Sequence, residues 1–205
     1  MNLMELYKQF VKESVMLTFI LESSVTSNIR SSIDENLLRL SREMCIVRLH
    51  DAWARFCREL VVISAYAKPF TVQGQQVQRA PGIKKRKDVI PKLISTYRGK
   101  RFEPRWHDAF ECLDAANRLK ISNSSVIMSG LSLSSSPVED LTHLRNFFVH
   151  RSYDNAQHVA GVATKLNLST MLRPDLIIVE TIPPGVSVFR KWVNQLHIMA
   201  MYSIQ

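Results

Sequence analysis

Ser136-Pro-Val-Glu-Asp-Leu-Thr-His-Leu-Arg-Asn-Phe-Phe-Val-His-Arg-Ser-Tyr153 is the stretch on which the reading of this chain turns. It opens with the chemistry of a helix start. The hydroxyl of Ser136 can accept from an orphan first-turn amide, Pro137 sits where a missing N–H costs nothing, and Glu139 completes a Ser-x-x-Glu capping box. Glu139 and Asp140 also suit the positive end of the helix dipole. Val138, Leu141, Leu144 and Phe148 then recur at helical spacing, which predicts one face in the core. Arg145, Asn146 and His150 ride on the same helix as Arg-Asn-x-x-x-His.

Around that stretch the chain has 205 residues with 46% hydrophobic content, enough to bury a full core. The organisation predicted is an N-terminal helical extension over 1–28 and a helical domain over 29–205. Three cysteines, Cys45, Cys57 and Cys112, form no C-x-x-C pair and leave an odd thiol if two were bridged, which favours a reducing compartment. The apolar run Val15 to Leu21 is closed by Glu22, too short to span a bilayer, and no small-residue cleavage site follows it. The expectation is a cytoplasmic protein with no membrane partner, no metal and no cofactor.

The net charge is +9, and most of it is local. Between Arg79 and Arg105 stand ten basic residues against two acidic ones, a net of +8. Lys84, Lys85, Arg86 and Lys87 form its densest run. Such a concentration is the electrostatic footprint of a polyanion site, because neutralising phosphates releases counterions and gives sequence-independent affinity. The alternative is a solvated basic loop.

Taken in order, Leu3, Leu6, Tyr7, Phe10, Ser14, Leu17 and Leu21 predict an amphipathic N-terminal helix, with a turn over Ser23 to Asn28. Ile33, Leu37, Leu40, Met44, Val47, Trp53, Phe56, Leu60 and Ile63 stand near helical spacing and predict one long helix from Ser32 to Tyr66, or two meeting near Leu49 to Asp51, with Trp53 and Phe56 in the core. His50 beside Asp51 reads as a surface histidine. Lys68 to Gly82 reads as a loop with Phe70 to Val72 as a short strand, and Asp88 as the cap of a helix from Val89 to Tyr97 that Gly99 ends. A helix is expected from Glu103 to Leu119 with Trp106, Phe110, Leu113 and Leu119 inward, and His107 and Glu111 as an ordinary surface pair. Ile121 to Ser135 is serine-rich and reads as a flexible loop. After the central stretch come a short helix over Asn155 to Leu168 and an extended segment or hairpin strand within Pro174 to Thr181. Pro183-Pro184-Gly185 is a hard turn, and a helix over Val186 to Tyr202 buries Val188, Trp192, Leu196 and Met199.

Arg145-Asn146-x-x-x-His150 resembles the Arg-x(4–6)-His motif of the HEPN superfamily, with Asn146 as the small polar residue often found directly after the motif arginine. The likeness covers mainly 136–153, and more loosely the segment from Ser32 onward; among branches, the stand-alone RiboL-PSP-HEPN proteins are similar in size. The resemblance implies an all-α helical bundle, here with an extra N-terminal helix and one short strand or hairpin, acting as a metal-independent endoribonuclease. It further implies a homodimer whose motif helices meet at the two-fold axis, RNA as substrate, a role as toxin or anti-phage effector, and a neutralising antitoxin or other defence protein as partner.

The chemistry those residues support is attack of an RNA 2′-hydroxyl on its own phosphodiester. His150 can move a proton to or from oxygen, Arg145 offers forked donors to charge on the phosphoryl oxygens, and Asn146 can orient either. Arg151 adds charge beside them. Two proton-transfer groups are needed, and a dimer supplies two copies of His150; His143, seven residues before it on one helix face, is the reserve. Arg145 and His150 stand roughly 140° apart around an ideal helix. Either the helix loosens after Val149, or the pair converges across a dimer. In the plain structural alternative, Arg145 pairs with Glu139 or Asp140 and His150 ends a helix. Two further readings compete: a catalytically inactive HEPN module that binds RNA or nucleotides, and a helical protein-interaction domain.

Overall fold

The computed structural model describes residues 2–26, 32–97 and 102–205. Arg98, Gly99, Lys100 and Arg101, and the end of the turn expected through Asn28, lie outside them. The described chain is all-α apart from one small hairpin. Its order is α1 Leu3–Thr26, α2 Ser32–Tyr66, α3 Arg86–Thr96, α4 Ala109–Arg118, α5 Ser124–Leu131, α6 Ser136–His150, α7 Tyr153–Lys165, α8 Pro174–Ile177, β1 Thr181–Ile182, β2 Val186–Ser187 and α9 Val188–Tyr202. No described helix is long and apolar enough to cross a membrane.

The chain divides into two compact units that interleave along the sequence. One holds Met1–Val11, Ala52–Ser135 and His197–Gln205, and the other Lys12–Asp51 and Ser136–Leu196. Helices α1, α2 and α9 each give one end to each unit.

In the first unit α1 starts with reciprocal bonds: Asn2 N donates to Glu5 Oε2 at 2.9 Å and Glu5 N to Asn2 Oδ1 at 2.8 Å, satisfying two amides that a helix start leaves orphaned. Leu3, Leu6 and Phe10 are buried as their spacing predicts. Phe10, Trp53 and Phe56 form the aromatic centre, with ring centroids 5.4–5.7 Å apart. The loop after α2 pairs Phe70 with Gln76 in a single antiparallel bridge, and Val72 N donates to Ile204 O at 2.9 Å.

Three expectations are corrected here. Helix α3 begins at Arg86, inside the basic run, because Asp88 sits at its third position and accepts the Lys85 amide at 3.0 Å. Helix α4 begins at Ala109, where Asp108 accepts from the Phe110 and Glu111 amides; Trp106 is buried ahead of it, while Phe110 is 78% exposed. Glu111 is held by Arg105, which reaches it with backbone N and Nε, both at 2.7 Å. The serine-rich stretch is not a loop throughout, since α5 buries Ile127, Gly130 and Leu131. Gly130 is required by a close approach: a Cβ there would collide with the backbone of Ser203.

In the second unit α2 runs unbroken past Leu49. His50 is buried rather than superficial, with Nδ1 3.6 Å from Asp51 Oδ1. Trp53 and Phe56 are buried as expected, with Leu60 and Ile63 further along the helix, whereas Ile33, Leu37, Leu40 and Met44 are exposed. Helix α1 continues to Thr26, beyond the turn expected at Ser23. Pro174–Ile177 is a helical turn, not a strand, anchored by buried Asp175 between Arg42 (3.3 Å) and Arg173 (2.8 Å). The hairpin instead pairs Thr181 with Ser187 and Ile182 with Val186 around Pro183-Pro184-Gly185. Val188, Trp192 and Leu196 of α9 are buried as predicted.

Candidate functional site

Helix α6 is held from within by Val138, Leu141 and Leu144, all buried, while Phe148 is only half-buried. Ser136 stands inside the helix as its first residue and its hydroxyl reaches Asp140 Oδ2 at 3.5 Å. Asp140 is buried and paired with Lys165 Nζ at 3.0 Å. Burial pushes this carboxyl above its ordinary range, and Lys165 and His143 oppose that push.

The far end of α6 is closed by a two-residue link. Arg151 N donates to Phe147 O at 2.8 Å, so the last turn stays α-helical through His150. Arg151 then takes a left-handed φ of 49°, and Ser152 caps α7 by accepting from Asn155 N at 3.2 Å. A link this short folds α7 back antiparallel on α6. Two side-chain contacts mark the register: Asn155 Nδ2 meets Asn146 O at 3.5 Å, and the His143 and His158 rings stack at 4.6 Å.

The hairpin brings most of the predicted residues together. His143, Asn146 and His150 recur at i, i+3 and i+7 and therefore line one face of α6. Arg145 lies on another side of the helix; its Nη1 donates to Asn146 Oδ1 at 3.2 Å, and its Nε is buried without a hydrogen-bond partner among the described residues. Glu139 and Asp140 are not its acceptors in any described ion pair, Asp140 being taken by Lys165. The helix does not loosen after Val149, so of the two routes by which Arg145 and His150 could converge, that one is closed. His150 is exposed at the hairpin tip.

Arg151 is half-exposed. Its guanidinium bonds Glu43 Oε2 of α2 at 2.6 Å and lies over the Phe147 and Phe148 rings at 5.5 and 5.8 Å. Burial, then the adjoining His158 ring, hold the His143 imidazole below its ordinary 6.5, against the opposing pull of Asp140 and Glu139. His143 is thereby neutral at pH 7 and can accept a proton. Asn155 and His158 were missed by sequence reasoning. The cue lay in Ser152, whose cap fixes where α7 starts and so which α7 residues fold over His143.

The basic run belongs to the other compact unit. Lys84, Lys85, Arg86 and Lys87 are all exposed, around the first turn of α3. Arg86 also serves the fold, since its Nη2 reaches the buried Glu59 at 2.6 Å. Among the described residues, no three His, Cys, Asp or Glu side chains are grouped to hold a metal ion.

No family model, no curated protein and no solved structure matches this chain.

Proposed function

We propose that this protein is a metal-independent endoribonuclease of HEPN type, acting as a homodimer, with Arg145, Asn146 and His150 as its catalytic residues and His143 as a second proton-transfer group. The observation that carries the reading is the alignment of His143, Asn146 and His150 along one face of α6, with the Arg145 guanidinium bound to Asn146. In the reaction one imidazole takes the proton of a 2′-hydroxyl, the 2′-oxygen bonds to phosphorus, and the bond from phosphorus to the 5′-oxygen breaks. That oxygen receives a proton from the other imidazole, leaving a 2′,3′-cyclic phosphate and a 5′-hydroxyl. Arg145 and Asn146 donate to the charge gathering on the phosphoryl oxygens. His143, held neutral, suits the role of base. Phe147 and Phe148, stacked under Arg151, offer apolar rings for an unpaired base. A cytoplasmic toxin or phage-defence effector restrained by a partner protein fits an RNA-cutting activity of this kind.

A second reading has one observation in its favour: within one copy Arg145 and His150 face different sides of α6. A catalytically silent module would bind RNA through Lys84, Lys85, Arg86, Lys87 and Arg151 without cutting it.

Incubating the purified protein with structured RNA in EDTA separates these. The nuclease reading expects cyclic-phosphate ends from the wild type and a loss of roughly 10²–10⁴ in rate for His150→Ala and Arg145→Ala. The silent module expects salt-sensitive RNA retention that survives both substitutions and weakens in Lys84→Gln/Lys85→Gln/Lys87→Gln, Arg86 being kept because it holds Glu59. Neither cleavage nor retention would leave only a protein-interaction domain.

A further inference from the structure

Cys57 and Cys112 stand far apart in the sequence, and the first unit brings their sulfurs together. Both side chains are buried, at 1% and 0% exposure, and the two thiols share a hydrogen bond. A circuit of contacts fixes that meeting. Arg58, next to Cys57 on α2, grips Glu103 with two bonds at 2.8 and 3.1 Å. Glu103 accepts from Trp106 Nε1 at 2.8 Å, and Trp106 O accepts from Cys112 Sγ at 3.1 Å. The Asp108 cap sets the first turn of α4, which carries Cys112. The third cysteine is no partner for Cys57. Cys45 precedes it by twelve residues on the unbroken α2, a rise of about 18 Å, whereas bridged residues have Cα atoms within about 7 Å. The Cys45 sulfur donates instead to Leu17 O at 3.7 Å.

We infer that Cys57 and Cys112 form a disulfide site, a dithiol that a small disulfide such as oxidised glutathione converts into a bridge between α2 and α4. One cysteine thiolate attacks the glutathione disulfide and releases a first glutathione; the other attacks the mixed disulfide and releases a second. Two thiols are thereby oxidised, one glutathione disulfide is reduced, and the two cysteine protons pass to the departing glutathione sulfurs. A disulfide draws its sulfurs to about 2.05 Å, and thiols already in hydrogen-bond contact reach that by rotation about their Cα–Cβ bonds. Burial, and then the Cys112 contact, raise the Cys57 thiol well above its ordinary 9.0, and neither buried sulfur is open to a molecule the size of glutathione. Exchange therefore takes place as the chain folds, before α4 settles against α2.

The site is independent of the nuclease reading. In a reducing compartment the pair rests as the dithiol, and the bridge marks chains that fold while the glutathione pool is oxidised. It encloses residues 58–111, and with them the basic run Lys84 to Lys87.

The test is to reduce and unfold the full chain, refold it in oxidised or in reduced glutathione, and alkylate the thiols left free. Oxidising buffer is expected to give a chain two hydrogen masses lighter than the dithiol, with Cys57 joined to Cys112 in the peptide map and Cys45 alone alkylated. A light trypsin nick at the exposed Lys84 to Lys87 run should give fragments that stay together without reductant and part with it. The bridged chain should show a higher urea midpoint than the dithiol, because a closed loop of about 55 residues restricts the unfolded state. Cys57→Ala and Cys112→Ala should each abolish both the bridge and the gain, and Cys45→Ala neither. Three alkylated cysteines after oxidising refolding, a bridge that includes Cys45, or a bridge that lowers the urea midpoint would each overturn the proposal.

Discussion

His143 on α6 and His158 on α7 lie ring on ring, with centroids 4.6 Å apart and planes 10° from parallel. Burial, and then the charge of the adjoining His158 ring, oppose protonation of His143 in the folded state. The unfolded chain carries no such restriction. Between the depressed folded value of His143 and its ordinary 6.5, the unfolded state binds more protons, and stability therefore rises with pH. His197, pushed down by burial, acts in the same sense.

Stability is thus expected to be fully present above pH 6.5 and to fall as the pH is lowered past that value. Urea midpoints at pH 7.5 and pH 5.5 measure the fall. In His143→Gln/His197→Gln it should shrink, and an undiminished fall would place the sensitivity elsewhere.

Lys165→Met tests the buried carboxylate. Asp140 keeps its charge against burial with the help of Lys165, and removing that cation raises its pKa further above 3.8. A folded-state pKa above the unfolded one loses stability as pH rises through it. The variant is accordingly expected to be markedly less stable than wild type at pH 7 and to approach it as the pH falls toward the carboxyl's ordinary 3.8. A deficit independent of pH would show that only side-chain packing was lost.

Trp53 is fully buried, and its indole N–H has no hydrogen-bond partner among the described residues. Trp53→Ala should cost about 3–5 kcal/mol from the void it leaves against Phe10 and Phe56. Trp53→Phe keeps one aromatic ring and removes an unsatisfied donor, so its cost should be clearly smaller than that of Trp53→Ala. Equilibrium urea unfolding distinguishes the two, and equal losses would mean the indole nitrogen is satisfied in solution.

Gly130→Ala should destabilise by roughly 1–3 kcal/mol or more, because the added Cβ meets the backbone N and Cα of Ser203, which cannot swing away, as well as its hydroxyl. Ser129→Ala, next to it and exposed, is the control and should change little. A stable Gly130→Ala protein would show that the C-terminal turn can move off α5.

The elements whose sequence pattern is local and long were readable before the structure. The stripe Leu3, Leu6, Phe10, Ser14, Leu17 and Leu21 is buried along α1, and α2 and α9 lie where periodicity put them. What escaped depends on partners far away in the chain. Periodicity shows that Ile33, Leu37, Leu40 and Met44 share a face, but not whether that face meets the chain's own core or water. Leu176 to Val179 is too short for its apolar run to distinguish strand from helix, and the Asp175 ion pairs with Arg42 and Arg173 decide it. Serines hid α5 because its two buried anchors, Ile127 and Leu131, are outnumbered. At the candidate site Arg145, Asn146, His143 and His150 were legible as a local pattern, whereas His158 joins them only through the fold of the hairpin.

The interleaving of the two compact units has a consequence for how such a protein can be taken apart or inherited. Three of its four crossing points, after Val11, Asp51 and Leu196, fall inside helices, and only the one after Ser135 falls in a linker. No single cut, and no exon-like block, releases either half as a continuous piece. Half-length fragments would carry severed helices with raw ends, and a gene fusion that borrowed one half would borrow something unable to stand. The hairpin with its histidines is portable only as part of the entire chain.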